Sequence, residues 1–184
     1  MYNPVAMAKL NRTVALVGMM GAGKSSVGRR LAARLGVPFK DADTEIELAA
    51  GCPISEIFSR YGEPAFRDGE RKVIARLLGE PPMILATGGG AFINVETRAR
   101  LKESAITVWI NVPIGVLMQR VNRRNTRPLL QTTDPQATLE NLLANRTPIY
   151  AQADLTVESH DGPHATPVDQ ILAALKAHHV LGGA

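Results

Sequence analysis

Short apolar runs alternate along the chain with longer stretches of helical period. TVALV (13–17), PFKDAD (38–43), PMILA (82–86), ITVWINV (106–112) and ADLTVE (153–158) have the length and β-branched character of strands. Between them, SSVGRRLAARLG (25–36) sets Val27, Leu31 and Leu35 on one helical face and stops at a glycine. Glu70 to Leu78 does the same with Val73, Ile74, Leu77 and Leu78, and Pro167 to Ala177 with Val168, Ile171, Leu172 and Leu175. Strand–helix alternation of this kind predicts an α/β fold, a parallel sheet with helices on both faces. Trp109 falls inside a strand run and is expected in the core. The stretch from Asn122 to Asp134, which carries RRNTRP, breaks the pattern and is expected to be a lid or a disordered loop.

Composition narrows the picture. A chain of 184 residues, 45% hydrophobic, can bury a full core as a single domain spanning 1–184. No apolar run approaches a membrane span, and the first residues, MYNPVAMAKLNR, lack the apolar core of a secretory signal, so a cytoplasmic protein is expected. Cys52 is the only cysteine, which excludes an internal disulfide and a cysteine-based zinc cluster. The histidines at 160, 164, 178 and 179 form no metal pattern and are expected to be solvated. Net charge is +4, and arginines gather at 120–127 and recur at 67 and 146 with few aromatics between them. A single-strand nucleic-acid groove needs stacking platforms, so small polyanions are the better match.

The strongest chemical signal lies directly behind the first strand. Gly18 to Ser25 fits G-x-x-x-x-G-K-[ST], a loop whose backbone N–H groups curl around phosphate while the lysine reaches the β/γ-phosphates and the hydroxyl meets Mg²⁺. Behind the second strand stand Asp41 and Asp43, two residues apart. On an extended strand both would face one crevice at the carboxyl edge of the sheet, Asp41 toward Mg²⁺ and Asp43 toward an attacking hydroxyl. Alternatively Asp43 caps the helix that begins TEIEL.

Arg67 and Glu70 share a helical face at i and i+3, where an exposed ion pair is the plain alternative to a binding role. TGGGA places Gly88, Gly89 and Gly90 behind the strand MILA, baring the backbone for close approach by a ligand or another chain segment. Arg127, stiffened by the following proline, suits charge neutralisation during phosphoryl transfer, and Arg146 in NRTPIY could fork onto a carboxylate.

In this order GMMGAGKS, DADTEIE, GCPISEIFSRYGEPAFRDGE, TGGGA, RPLL and RTPIY closely resemble the shikimate kinase family, from Thr13 to about Leu175. The resemblance implies a P-loop NTPase fold like that of the nucleoside monophosphate kinases: three α/β/α layers, a five-stranded parallel sheet in the order 2-3-1-4-5, a substrate-binding segment over about 43–72 and a lid over about 122–134. It implies transfer of the ATP γ-phosphoryl group to the 3-hydroxyl of shikimate, with Mg²⁺, on the route to aromatic amino acids.

By resemblance, Gly21, Ala22, Gly23, Lys24, Ser25 and Ser26 hold the nucleotide phosphates, Ser25 and Asp41 the metal, and Asp43 the acceptor hydroxyls as candidate base. Arg67 and Arg146 match the pair that grips the shikimate carboxylate, and Gly88, Gly89 and Gly90 lie on the substrate side. Arg127 matches the lid arginine and Arg120 the one that stacks on adenine. The expected partners are ATP and shikimate, with neither nucleic acid nor membrane, for a monomer. The chain departs from the family pattern in its first eleven residues, within which Met7 is a second candidate start, and in ESHDGPHATP (158–167), where no adenine contact is assigned. Two other functions are compatible with a P-loop: phosphorylation of another polyol such as gluconate, and a catalytically silent regulatory or nucleic-acid-binding role. The first is disfavoured by Arg67, Arg146, Asp43 and the triple glycine together, the second by the retention of Lys24, Asp43 and Arg127.

Overall fold

The computed structural model describes residues 9–122, 133–160 and 165–182. In chain order the elements are β1 (Lys9–Leu10), β2 (Thr13–Val17), α1 (Lys24–Leu35), β3 (Phe39–Asp41), α2 (Ala42–Ala50), α3 (Ile54–Leu78) and β4 (Ile84–Ala86). A 3₁₀ turn (Ala91–Ile93) follows, then α4 (Val95–Ser104), β5 (Ala105–Asn111), α5 (Ile114–Asn122), α6 (Pro135–Tyr150), β6 (Leu155–Glu158), α7 (Ala165–Ala177) and β7 (Leu181–Gly182). No helix among the described residues is long and apolar enough to cross a membrane.

Five strands form one parallel sheet in the order β3-β4-β2-β5-β6, which is 2-3-1-4-5 when these five alone are counted. β2 is the central strand, with Val14 opposite both Ile84 and Ile106, and every residue of it is buried. A strand covered on both faces reads as a continuous apolar run rather than an alternating one. The predicted strands PFKDAD and PMILA shorten to 39–41 and 84–86. Pro38 and Pro82 have no N–H for a ladder, and Asp41 turns the chain into a helix. Trp109 is buried, as expected.

The segment between the second and third strands departs more from expectation. The helix expected from Glu70 begins at Ile54, with non-helical backbone at Gly62 (φ 79°, ψ 172°) separating two helical pieces. Pro64 then occupies the first turn of the second piece, where its missing N–H costs nothing. Glu47 on α2 accepts from the Ile54 N–H at 2.9 Å, and Glu45 binds Arg76 near the other end of α3 at 2.6 Å. Lys40 and Glu80 close a ring of alternating charge: Arg76 to Glu80 is 3.1 Å, Lys40 to Glu80 3.1 Å and Lys40 to Glu45 3.7 Å. Arg76 in the first place, helped by Lys40, lowers the Glu45 carboxyl below its ordinary range against the opposing effect of its burial. α2 thus holds both ends of α3.

A two-stranded antiparallel pair, β1 with β7, has no counterpart in the sequence-based expectation. Asn11 supports it, donating from its N–H to Val180 O at 3.2 Å and from Nδ2 to His179 O at 3.0 Å. Two residues per strand are too few for a period to register.

Asp154 joins β6 to β5 by accepting from the Thr107 N–H (2.8 Å) and hydroxyl (2.7 Å), while the Asp154 N–H donates to Thr107 Oγ1 at 2.9 Å. Thr107 is fully buried. Asp154→Ala strands those donors, and a cost of about 1–3 kcal/mol is expected from leaving a buried donor unsatisfied. Urea unfolding checks it: the midpoint falls with an unchanged m-value.

Candidate active site

The loop behind β2 takes its shape from glycines at positive φ: Gly18 at 137°, Gly21 at 80° and Gly23 at 89°. A Cβ on Gly18 would also stand 2.8 Å from Ile110 O, so the loop lies against β5 as well as curling. Lys24, the first residue of α1, is buried, and its Nζ donates to Gly18 O at 2.8 Å and Met19 O at 2.9 Å. The ammonium therefore folds back over the loop that precedes it. α1 carries no acidic residue in its first turn, so its N-terminal dipole is available to an anion. Ala22 is buried in the loop and Ser26 is exposed on the first turn of α1.

Ser25 Oγ donates a short hydrogen bond to Asp41 Oδ2. These two side chains set hard oxygen donors beside the glycine-rich loop behind β2, the kind of partial donor set that suits Mg²⁺. Among the described residues no cluster of three or more His, Cys, Asp or Glu could hold a metal unaided.

Asp41 and Asp43 do not share a strand face. β3 ends at Asp41, whose Oδ1 accepts from the Asp43 N–H at 3.0 Å and so caps α2. The cap is Asp41, not Asp43, because the helix begins at Ala42, two residues earlier than the TEIEL pattern indicates. Asp43 sits in the first turn of α2 and reaches the same crevice from a helix rather than a strand.

What it reaches is the glycine turn behind β4. A Cβ on Gly88 would lie 2.6 Å from Glu70 Oε1 and 3.1 Å from Asp43 Oδ1; one on Gly90 would lie 2.5 Å from the Arg67 guanidinium. None of the three glycines has a positive φ, so close approach, not backbone conformation, is what a side chain here would break. On its other side the turn meets the phosphate loop, since a Cβ on Gly89 would stand 3.1 Å from Met20 N. Thr87 anchors the turn by donating from its hydroxyl to Leu16 O at 2.9 Å.

Arg67 and Glu70 form the expected i, i+3 pair at 2.8 Å, but Glu70 is almost fully buried, so this is no exposed surface pair. Glu63 accepts from the Arg67 Nε and Nη2 at 3.3 and 3.2 Å. Glu70 Oε1 is buried without a hydrogen-bond partner among the described residues. Burial raises the Glu70 carboxyl above its ordinary value; Arg67 opposes that shift and Asp43 adds to it.

Arg146 on α6 donates to Gly89 O at 3.4 Å, and Tyr150, one turn on, donates to the same carbonyl through a short bond. Arg120 spans the phosphate loop and the chain after β6, donating to Ala22 O at 3.3 Å and His160 O at 3.2 Å. Arg127 and residues 123–132 of the expected lid lie outside the described residues. Sequence reasoning passes over Thr87 and Tyr150. The signal for Tyr150 is present, four residues after Arg146 in RTPIY.

A model of the shikimate kinase family matches residues 20–176. The chain belongs to the shikimate kinase family. A shikimate kinase of Nitrobacter winogradskyi is 59% identical over 171 residues, covering 93% of this chain and 80% of that one. The structure of a shikimate kinase from Acinetobacter baumannii in complex with shikimate superposes with a TM-score of 0.88 at 39% identity, covering 91% of this chain and 94% of that one. A gluconokinase from Sinorhizobium meliloti has a TM-score of 0.57 at 22% identity, a likeness of fold alone.

In this member of the shikimate kinase family the buried Glu70 carries a test of the site's electrostatics. A carboxyl raised in the folded state holds its proton more tightly there, so its contribution to stability falls as pH rises above the ordinary value of 4.5. Glu70→Gln removes that titration. The wild-type thermal midpoint minus the variant's is expected to decline as pH rises from 4.5 and then to level off; a difference independent of pH contradicts the assignment.

Proposed function

We propose that this chain transfers the γ-phosphoryl group of ATP to the 3-hydroxyl of shikimate, giving shikimate 3-phosphate and ADP. The observation that carries the reading is the shared wall between the phosphate loop and the turn at 88–90, around which Asp43, Arg67, Glu70 and Arg146 gather from α2, α3 and α6. A nucleotide on one side and a small carboxylated alcohol on the other would meet end to end. The Acinetobacter enzyme holds shikimate in its complex, and shikimate is such an alcohol.

In this mechanism the N–H groups of Gly21 to Ser26 and the Lys24 ammonium hold the nucleotide phosphates, and Arg120 packs beside the adenine. Ser25 and Asp41 would hold Mg²⁺, Asp41 through water; when bound, the ion would supply positive charge against the charge that develops on the phosphates. Arg67 and Arg146 fork onto the shikimate carboxylate with the turn at 88–90 beneath the ring. Asp43 accepts a hydrogen bond from the 3-hydroxyl and takes its proton as that oxygen bonds to the γ-phosphorus and ADP leaves. Arg127 contributes charge from the lid.

A coupled ADP-release assay with shikimate, gluconate, quinate and no acceptor tests the substrate. Turnover with shikimate alone is expected, and preference for gluconate overturns the reading. Asp43→Asn should lower kcat by roughly 10²-fold or more, a usual size for general-base effects, with ATP affinity little changed. Near-normal kcat with a normal shikimate KM would remove Asp43 from the chemistry. Arg67→Ala and Arg146→Ala should each raise the shikimate KM far more than that of ATP, since a hydrogen bond to a charged group contributes about 1.5–3 kcal/mol. A rise confined to the ATP KM would move both arginines to the nucleotide.

A further inference from the structure

Tyr150 stands between the glycine-rich loop behind β2 and the turn at 88–90 and has no part in the mechanism above. It is among the largest fully buried side chains, it stacks on Trp109 of β5 at 6.1 Å between ring centroids, and its hydroxyl lies 3.8 Å from Met19 Sδ in the phosphate loop. The hydroxyl's main partner is Gly89 O, the carbonyl that Arg146 also reaches. Burial pushes the phenol up to about 12, so it remains a donor throughout any assay range.

Two donors on one carbonyl have different fates when an acceptor binds. Arg146 donates to it at 3.4 Å and, on the reading above, turns its guanidinium onto the substrate carboxylate. Tyr150 is then the donor that still holds Gly89 O. A carbonyl inside the site without a partner would swing, and its peptide would swing with it. No peptide bond among the described residues is cis, so across the 89–90 bond the carbonyl and the N–H point opposite ways. Holding the one toward α6 aims the other away from it, and Gly90 itself faces the Arg67 guanidinium.

We infer that Tyr150 is a positioning residue for the acceptor turn: its hydroxyl fixes the Gly89 carbonyl, and so orients the Gly89–Gly90 peptide that faces the bound acid. This rests on the reading of 88–90 as the acceptor side. Packing on Trp109 alone would require the ring and not the oxygen, which separates the two roles.

Tyr150→Phe keeps the ring and removes the oxygen. The expected result is a shikimate KM at least fivefold higher, an ATP KM within twofold of wild type, an unchanged circular dichroism spectrum, and a smaller rise in thermal midpoint on adding shikimate. A lower thermal midpoint with an unaltered shikimate KM, an equal rise in both KM values, or a variant that does not fold overturns the inference, because the hydroxyl then serves the fold and not the turn. Wild type is assayed alongside. If it shows no shikimate-dependent ADP release, the acceptor reading fails; if it turns over and Tyr150→Phe matches it, only the role of Tyr150 fails.

Discussion

The arrangement of the site depends on three missing side chains. Glu70, Asp43, Met20 and Arg67 all place an atom within 3.1 Å of where a Cβ at 88, 89 or 90 would be, closer than a packed Cβ ordinarily stands. With the backbone bare, two helix-borne carboxylates, a helix-borne guanidinium and the glycine-rich loop behind β2 converge on one short turn. Thr87 on one side and the 3₁₀ turn on the other keep it in place: the Ala91 N–H donates to Gly88 O at 3.2 Å, the Ile93 N–H to Gly90 O at 3.1 Å, and Arg98 caps the end on Phe92 O and Ile93 O.

That crowding decides the electrostatics. Glu70 is forced into a dry place opposite Asp43, where Arg67 and Arg146 offset the cost of its charge. In return, Arg67 is held by Glu70 on one side and Glu63 on the other, so its planar head is oriented before any ligand arrives. A guanidinium already in place loses less freedom when it binds. The stiffness extends outward through α3, which α2 holds at both ends by Glu47 on Ile54 and Glu45 on Arg76.

The sheet order and the glycine-rich turn from β2 into α1 are legible in the sequence because each rests on a local signal: an apolar run, a glycine spacing, a lysine at a helix start. Asp43 belongs to the crevice that its spacing from Asp41 indicates, but for a different reason. The residue pattern alone does not show whether DAD ends a strand or starts a helix, and the side chain of Asp41 resolves that by capping the Asp43 N–H. The length of α3 is hidden by the glycine and proline at 62 and 64, which read as breakers, yet Gly62 serves as a kink between two helical pieces. Whether Glu70 is half of a surface pair or part of a site stays open in the sequence, because burial is a property of what packs above a residue. Tyr150 reaches Gly89 across a separation of 61 positions, beyond anything periodicity can report.

The pairing of β1 with β7 has a mechanical side. Lys9 lies opposite Gly182 and Leu10 opposite Leu181, so the chain enters and leaves this pair at the same end. Tension applied from outside the two strands would therefore unzip them, breaking hydrogen bonds one after another, rather than shear them all at once. The pair would yield first and shield the central sheet, whose β2 has a parallel neighbour on each side, from the early part of the load.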